Sequence, residues 1–149
     1  AEERGAGGDD EVLVGIAPSL PALSRVAKLG KRSGRVGFAW PDAAGVRDKV
    51  AEELAELDEV LARAGETGGA EPGARSARQA EELGDLLFAV ANWGRHLGID
   101  PEEALRAANR KFERRFASIE TAARARQRPL DTLTSEEWDT LWVEAKRGG

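Results

Sequence analysis

The sequence contains no cysteine and no methionine, and His96 is its single histidine. Without cysteine the chain can form no disulfide, thiolate nucleophile or cysteine-based zinc site, and one histidine cannot supply a site of several imidazoles. No run approaches the ~20 apolar residues of a membrane span, and no signal peptide is apparent. We therefore expect a cytoplasmic protein with no membrane partner. Because methionine is absent, we also expect that the chain has lost its initiator or is a piece of a longer protein.

An excess of basic residues is missing as well. The 22 lysines and arginines are outnumbered by 27 aspartates and glutamates, which gives a net charge of -5. Proteins that bind duplex nucleic acid usually carry a clear basic excess, so we expect no nucleic-acid partner. An acidic protein can still bind a polyphosphate if divalent cations bridge the two negative parties.

No alternating strand pattern of useful length is present, whereas apolar residues recur at helical spacing through most of the chain. We predict a flexible tail over residues 1–11 and one helical domain over residues 12–149, a length that suits a single domain. The predicted fold class is all-α, a four-helix-bundle-like fold with a short C-terminal helix. The predicted helices run from Ser19 or Pro21 to about Arg35, from Ala43 to Ala64, from Ala77 to Leu97, from Asp100 through Ile119, and from near Ser135. Residues 65–76, rich in glycine, are predicted to form a mobile loop.

Adjacent glutamates occur five times, so a pair of them carries no meaning by itself. Only two pairs add a third acid four places after the first. These triplets are Glu52-Glu53-x-x-Glu56 on the second predicted helix and Glu81-Glu82-x-x-Asp85 near the start of the third.

Helix geometry places both triplets alike. With the first glutamate as zero, the second acid lies near roughly 100° and the third near roughly 40°, while the apolar stripe centres near roughly 160°. We therefore expect Glu53 and Glu82 to be partly buried beside the core face. The stripes are Val46, Val50, Leu54, Leu57 and Leu61 on the second helix and Leu83, Leu86, Val90, Trp93 and Leu97 on the third.

Crowded, partly buried carboxylates repel one another and take up protons unless a cation lies among them. Because no histidine or cysteine accompanies these acids, the ligands are all oxygen, which favours Mg²⁺ first and Mn²⁺ next. A single charged triplet is most often a solvated helix face, but two triplets with the same offset favour a metal site. A di-iron bundle would need a Glu-x-x-His motif on each of two helices, whereas His96 follows Trp93 at that spacing.

Basic and aromatic residues near the end of the chain form a second group. Lys111 and Arg115 are spaced i, i+4 beside the apolar stripe of the fourth helix, which suits phosphate binding. Trp142 and Lys146 have the same spacing and suit stacking on a base and contact with a phosphate or ribose. Solvated cations and a core tryptophan remain open as the alternative.

Smaller roles are expected for a few other residues. Phe38 and Trp40 are weaker candidates for a base pocket, and His96 is interpreted as a helix-end residue. Lys49 is expected to form an i, i+3 salt bridge with Glu52.

These motifs resemble the MazG family of nucleoside triphosphate pyrophosphohydrolases, and specifically the carboxy-terminal MazG domain of its two-domain proteins. The resemblance covers residues 12–148 and includes "DKVAEELAEL", "EELGDLLFAVANWGRHLGID", "NRKFERRF" and "WVEAKR". It implies a helical bundle that dimerises or forms higher oligomers, and Mg²⁺-dependent hydrolysis of nucleoside triphosphates to monophosphate and pyrophosphate. By position it implies metal ligands at Glu53, Glu56, Glu82 and Asp85, and substrate contacts at Lys111, Arg115, Trp142 and Lys146.

The mechanism expected from this resemblance is in-line attack of a water on the α-phosphorus, with metal held by the carboxylates. Lys111 and Arg115 would steady the leaving pyrophosphate. Glu52 and Glu53 are the candidate catalytic residues. Glu52 shares the acidic face of the helix and is not needed as a ligand, so it is the candidate to accept the proton of the water, and Glu81 could do the same.

Two alternatives stay open. One is a relative of narrower substrate range, acting on dUTP/dCTP or phosphoribosyl-ATP, and the other is a non-catalytic helical interaction module. The broad apolar faces of the helices further predict a symmetric homodimer, or a tetramer made of two such dimers, with Trp142 and Lys146 beside or across the interface.

Overall fold

A computed structural model describes residues 11–38, 43–64 and 72–149, and it is all-α there, with no strand, as predicted. The helices are α1 (Ala22–Arg35), α2 (Ala43–Ala64), α3 (Pro72–His96), α4 (Pro101–Ala125) and α5 (Ser135–Arg147), and a 3₁₀ turn covers Leu130–Thr132. No helix in the described ranges has a stretch long and apolar enough to cross a membrane. The predicted tail, apart from residue 11, and Trp40 lie outside the described residues.

The helix bounds confirm most of the sequence predictions, and α2 begins and ends where it was predicted. The predicted start of α3 at Ala77 is wrong, because the helix begins at Pro72. Proline suits the first position of a helix, where its missing N–H is not needed. Arg75 also donates a hydrogen bond to the Ala64 carbonyl at the end of α2, 3.3 Å away. The second acidic triplet therefore lies well inside α3 and not in its first turns.

The turn between α3 and α4 has the end structures that its sequence predicts. Gly98 has a φ of 73°, and the Ile99 N–H donates to the Gly94 carbonyl at 2.9 Å, which closes α3 with a left-handed glycine. The Asp100 carboxylate accepts a hydrogen bond from the Glu102 N–H at 2.9 Å and so caps the start of α4.

Packing contacts divide the chain into one unit that ends at Glu102 and a second unit, Glu103–Gly149. The single domain predicted for residues 12–149 stays a prediction. In the first unit, α3 packs extensively against α2 and also contacts α1.

The predicted positions of the core faces of α2 and α3 are wrong, because the buried residues of each helix are centred to one side of the predicted apolar stripe. On α2 the buried residues are Val46 and Glu53, while Leu54 and Leu61 are each 48% exposed. Val46, Glu53 and Val60 are spaced seven residues apart, so the contact line of α2 follows a heptad that passes directly through the acidic triplet. Glu53 therefore lies on the buried face itself, Leu57 is partly buried, and Leu54 and Leu61 remain outside that face.

On α3 the buried residues also lie to one side of the predicted apolar stripe. Ala89 and Asn92 are buried, whereas Leu83 and Val90 are about half exposed, at 47% and 46%. The small side chain of Ala89 permits close approach at the contact, and larger apolar side chains lie to one side of it.

Gly30 allows α1 to approach α3. A Cβ at this position would lie 2.6 Å from Arg95 Nε and 2.9 Å from Asn92 Oδ1. These two groups are joined by a hydrogen bond of 3.1 Å in which Arg95 donates, and Asn92 is only 2% exposed. The α1–α3 contact thus depends on a glycine facing a buried polar pair.

The second unit has its own small core. Ile119 of α4 and Leu141 and Ala145 of α5 are buried together. Partly buried side chains pack around this core, namely Ala122, Leu130, Leu133, Trp138 and Trp142.

The start of α5 is fixed by a capping box and an ion pair. The Thr134 hydroxyl accepts from the Glu137 N–H, and the Glu137 carboxylate accepts from the Thr134 N–H, each at 3.2 Å. Arg128 donates two hydrogen bonds to the same carboxylate, at 2.6 and 2.9 Å. The Arg128 hydrogen bonds, followed by the Thr134 N–H, lower the pKa of Glu137 from its ordinary value.

Candidate functional site

Three carboxylates from the two triplets meet at the contact between α2 and α3. Glu53 on α2 and Glu82 and Asp85 on α3 each offer one oxygen, and these oxygens lie within 4.8 Å of one another. Glu53 is 7% exposed and Glu82 is partly buried, which confirms the predicted burial of both. The heptad contact of the two helices therefore brings these acids together, and we call Glu53, Glu82 and Asp85 the carboxylate cluster.

Two oxygens of the carboxylate cluster are buried without a partner. Glu53 Oε2 and Glu82 Oε2 are hidden from solvent, and neither has a hydrogen-bond partner within the described part of the protein. A buried, unpaired carboxylate oxygen is costly, because it has lost its water without replacement. A divalent cation bound among the three carboxylates would offset this buried negative charge, and an all-oxygen donor set suits a hard cation such as Mg²⁺. The residues present therefore fit a metal site.

Glu56, the fourth predicted ligand, is not one of the three acids whose oxygens converge, but it lies under their electrostatic influence. The negative charge of Glu53 raises the pKa of Glu56, and partial burial and the charge of Glu82 add to this effect. The raised pKa reports an excess of negative charge in this region, as expected when several carboxylates share a small volume.

The two acids predicted as proton acceptors face solvent. The Glu52 side chain is 58% exposed and pairs with Lys49 Nζ at 3.3 Å, which confirms the predicted i, i+3 salt bridge. Glu81 is also exposed. Their position at the solvent side of the triplets is compatible with contact to a water, and their catalytic role stays a prediction.

Lys49 makes a second and shorter contact that the sequence interpretation missed. Its ammonium lies 2.9 Å from Glu53 Oε1. The hydrogen bond to Glu53 is the largest cause of the raised pKa of Lys49, and burial of the lysine opposes it. The i, i+4 spacing of the two residues is a sequence signal for this pair, and only the burial of Glu53 gives it importance.

In the second unit, Trp142 is the centre of an aromatic and basic group. Arg115 Cζ lies 5.7 Å and Lys146 Nζ 6.0 Å from the centre of a Trp142 ring, and the Phe112 ring is 5.9 Å from it at a tilt of 47°. Arg115 Nε is buried, and it has no hydrogen-bond partner in the ranges that the structure describes. Two cations on one indole, one of them incompletely bonded, form an arrangement that can accept an anionic aromatic ligand.

The sequence also singled out Lys111, Phe38, Trp40 and His96. Lys111 is exposed one turn before Arg115 on α4. Phe38 is 71% exposed, and Trp40 lies outside the described residues. His96 lies in the last turn of α3, as predicted. There its Nε2 lies 3.0 Å from Arg95, and burial, then the Arg95 charge, lower the pKa of His96.

The family model described as phosphoribosyl-ATP pyrophosphohydrolase matches residues 39–112, which include both acidic triplets. A nucleoside triphosphate pyrophosphohydrolase of Escherichia coli K12 is 41% identical over 146 residues, which cover 98% of this chain and 52% of that protein.

A Thermotoga maritima protein named nucleoside triphosphate pyrophosphohydrolase/pyrophosphatase MazG is 40% identical over 134 residues, covering 89% of this chain and 47% of its own. An uncharacterised Bacillus subtilis protein, YabN, is 48% identical over 65 residues, 44% of this chain and 13% of its own length. The chain spans about half the length of the first two relatives.

Proposed function

We propose that this chain, which belongs to the MazG family of nucleoside triphosphate pyrophosphohydrolases, hydrolyses nucleoside triphosphates to a nucleoside monophosphate and pyrophosphate with the help of Mg²⁺. The observation that carries the proposal is the convergence of Glu53, Glu82 and Asp85, in which one oxygen of Glu53 and one of Glu82 are buried with no hydrogen-bond partner among the described residues. Such a cluster is costly unless a cation binds it, and the names of the curated relatives supply the reaction.

The carboxylate cluster would hold the cation, with Glu56 as a further ligand. Mg²⁺, or Mn²⁺ in its place, would neutralise the phosphates and lower the pKa of a bound water. Glu53, Glu82 and Asp85 belong to packed helices, so their positions are set before substrate arrives, and the protein pays less to order them on binding.

Proton acceptance is assigned to Glu52, with Glu81 as the second candidate. Both are exposed members of the triplets, so both can accept a proton and release it to solvent.

Nucleotide binding is assigned to the aromatic and basic group of the second unit. Trp142 offers a ring face for a base. Arg115 has an unused buried N–H and, with Lys111 and Lys146, supplies positive charge for phosphate or ribose. In this proposal Lys111 and Arg115 stabilise the leaving pyrophosphate.

A narrower substrate is the second candidate, because the matching family model is described as phosphoribosyl-ATP pyrophosphohydrolase. The two candidates share the bond that is broken and differ in the group attached to the α-phosphate. Turnover rates on the four ribonucleoside triphosphates, dUTP, dCTP and phosphoribosyl-ATP separate them. Comparable rates on several triphosphates support the broad activity, and turnover of phosphoribosyl-ATP alone supports the narrow one.

The basic experiment is product analysis on mixed nucleoside triphosphates, with Mg²⁺ and with EDTA. We expect monophosphate and pyrophosphate in the presence of Mg²⁺ and no turnover in EDTA. A non-catalytic interaction module would give no product in either case, and calorimetric titration with Mg²⁺ would then show no binding.

A further inference from the structure

Lys49 provides the carboxylate cluster with a positive charge from the protein itself. Its ammonium lies 2.9 Å from Glu53 Oε1 and 3.3 Å from Glu52 Oε1. The lysine side chain is 33% exposed and that of Glu53 only 9%. The ammonium is thus partly desolvated against a carboxylate that is almost fully so.

The two oxygens of Glu53 are in different situations. Oε1 faces Lys49, while Oε2 is buried without a hydrogen-bond partner in the described residues. The ammonium therefore compensates only part of the buried charge. A divalent cation bound among Glu53, Glu82 and Asp85 would share Glu53 with Lys49, and two cations on one carboxylate repel each other.

We propose that Lys49 is a built-in counter-ion of Glu53 that stabilises the metal-free protein and competes with the divalent cation for this carboxylate. The inference rests on the metal site of the proposed function. It adds that Lys49, one helical turn before the ligand Glu53, lowers the metal affinity of the site below the affinity that the carboxylates alone would have.

A surface ion pair with the same spacing, in which the acid precedes the cation, is present on the same helix. Arg63 pairs with Glu59 at 3.0 Å with the same i, i+4 spacing, but both side chains are exposed, at 61% and 64%. Exposed pairs contribute little, because water screens both charges. Burial of Glu53 distinguishes the Lys49 pair, and Arg63 supplies a matched control.

The test compares Lys49→Met, Lys49→Arg and Arg63→Met with wild type. Titration calorimetry with Mg²⁺ and with Mn²⁺ gives the Kd, and thermal unfolding in EDTA gives the Tm of the metal-free protein. Lys49→Met removes the competing charge, so its Kd for the metal should be about fivefold lower than that of wild type. A change of this size corresponds to the free energy of one partly screened ion pair. The same variant should have a lower Tm in EDTA, because Glu53 then remains buried without a counter-ion.

Two control variants accompany it. Lys49→Arg keeps the charge and should stay near wild type in both Kd and Tm, and Arg63→Met should change neither.

The outcomes separate this inference from the proposed function. If wild type binds neither cation, the metal site fails, and the competition fails with it. If wild type binds metal and Lys49→Met binds it equally or more weakly, the metal site stands and the competition is overturned. An unchanged Tm of Lys49→Met in EDTA would overturn the role of Lys49 as a stabilising counter-ion, whatever the Kd.

Discussion

Glu53 is the most buried of the acids in the two triplets. It is 7% exposed, one of its oxygens has no hydrogen-bond partner in the described ranges, and it lies beside Glu82 and Asp85. A residue that served only stability would not be placed here as a carboxylate, since an amide or apolar side chain of similar size would be less costly. This cost is the physical argument that the carboxylate is kept for binding a cation.

Neutralising one member of the carboxylate cluster should separate activity from stability. We expect Glu53→Gln or Asp85→Asn to lower kcat by more than about a hundredfold, because a metal ligand is lost. The same changes relieve repulsion between carboxylates, so thermal unfolding in EDTA should give an unchanged or higher Tm.

Glu59→Gln is the matched control, because Glu59 lies on the same helix with a side chain that is 64% exposed. It should leave kcat unchanged. Wild-type activity in Glu53→Gln would remove this residue from the site.

The sequence predicted which residues belong to the candidate site better than it predicted the burial and the partners of each one. The triplets and the family resemblance pointed to Glu53, Glu82 and Asp85, which converge, and also to Glu56, which is not among the three acids whose oxygens converge. The second partner of Lys49 was missed because both i, i+3 and i, i+4 acids are available to it. Choosing between them requires knowing which carboxylate is buried.

At the scale of single elements, the two glycines of α1 have opposite surroundings. A Cβ at Gly30 would meet Arg95 and Asn92 within 3.0 Å, whereas one at Gly34 would meet nothing within 4 Å. Alanine is favoured over glycine inside a helix by up to about 1 kcal/mol where space permits. Gly34→Ala should therefore raise the free energy of unfolding by up to about this amount, and Gly30→Ala should lower it.

Urea denaturation of both glycine variants checks this prediction. Because both variants replace glycine by alanine in the same helix, the gain in helix propensity should be similar in the two, and any difference reports the surroundings of the added Cβ. Equal effects at the two positions would show that α1 does not approach α3 closely at Gly30.

The start of α5 should respond to acid through Glu137. Arg128 and the capping box favour its carboxylate form and lower its pKa below the ordinary 4.5. A lowered pKa adds stability above the unfolded value, and this stability is lost as the pH falls through the lower folded value. The Tm difference between wild type and Glu137→Gln should therefore be constant above about pH 5.5 and shrink below about pH 4.5.

Thermal melts of the two proteins across this pH range provide the check. Subtracting one curve from the other removes the titration of the other carboxylates. A difference that grew on acidification would contradict the assigned ion pair.

Helix positions were predicted well where capping signals are local. Asp100 and Gly98 act within one turn, so the sequence alone located the α3–α4 turn. Proline and glycine at residues 72 and 73 favour a loop in the sequence, although proline also begins helices. The buried faces of α2 and α3 differ from the predicted ones because the prediction places Glu53 and Glu82 beside the core. In the structure, the contact between the two helices passes through these residues. Periodicity cannot identify a core that contains charge.

At the scale of the whole molecule, the first unit leaves an apolar surface uncovered. Leu54 and Leu61 share one face of α2, and Leu83, Leu87 and Val90 share one face of α3. These five side chains are between 46% and 53% exposed. Exposed apolar side chains grouped on one helix face are typical of association sites. The predicted homodimer would cover it, and the same surface accounts for the leucines that the sequence placed in a core.

Light scattering at micromolar concentration tests this assembly. We expect a mass of twice 16.0 kDa or a higher even multiple, and Leu87→Glu should shift it toward the monomer because a charge cannot be buried there without a partner. Leu13→Glu, at a leucine 47% exposed outside α2 and α3, should leave the mass unchanged. A fully active wild-type chain with the monomer mass would contradict the prediction.

The central claim is attack on the α-phosphorus with metal held by the carboxylate cluster, and hydrolysis in ¹⁸O-labelled water tests it most directly. Mass spectrometry of the products from a nucleoside triphosphate and Mg²⁺ should find the label in the monophosphate and none in the pyrophosphate, since the attacking oxygen stays with the phosphorus it attacks. Glu53→Gln should give no labelled product. Label in the pyrophosphate, or a diphosphate with free orthophosphate, would contradict the account.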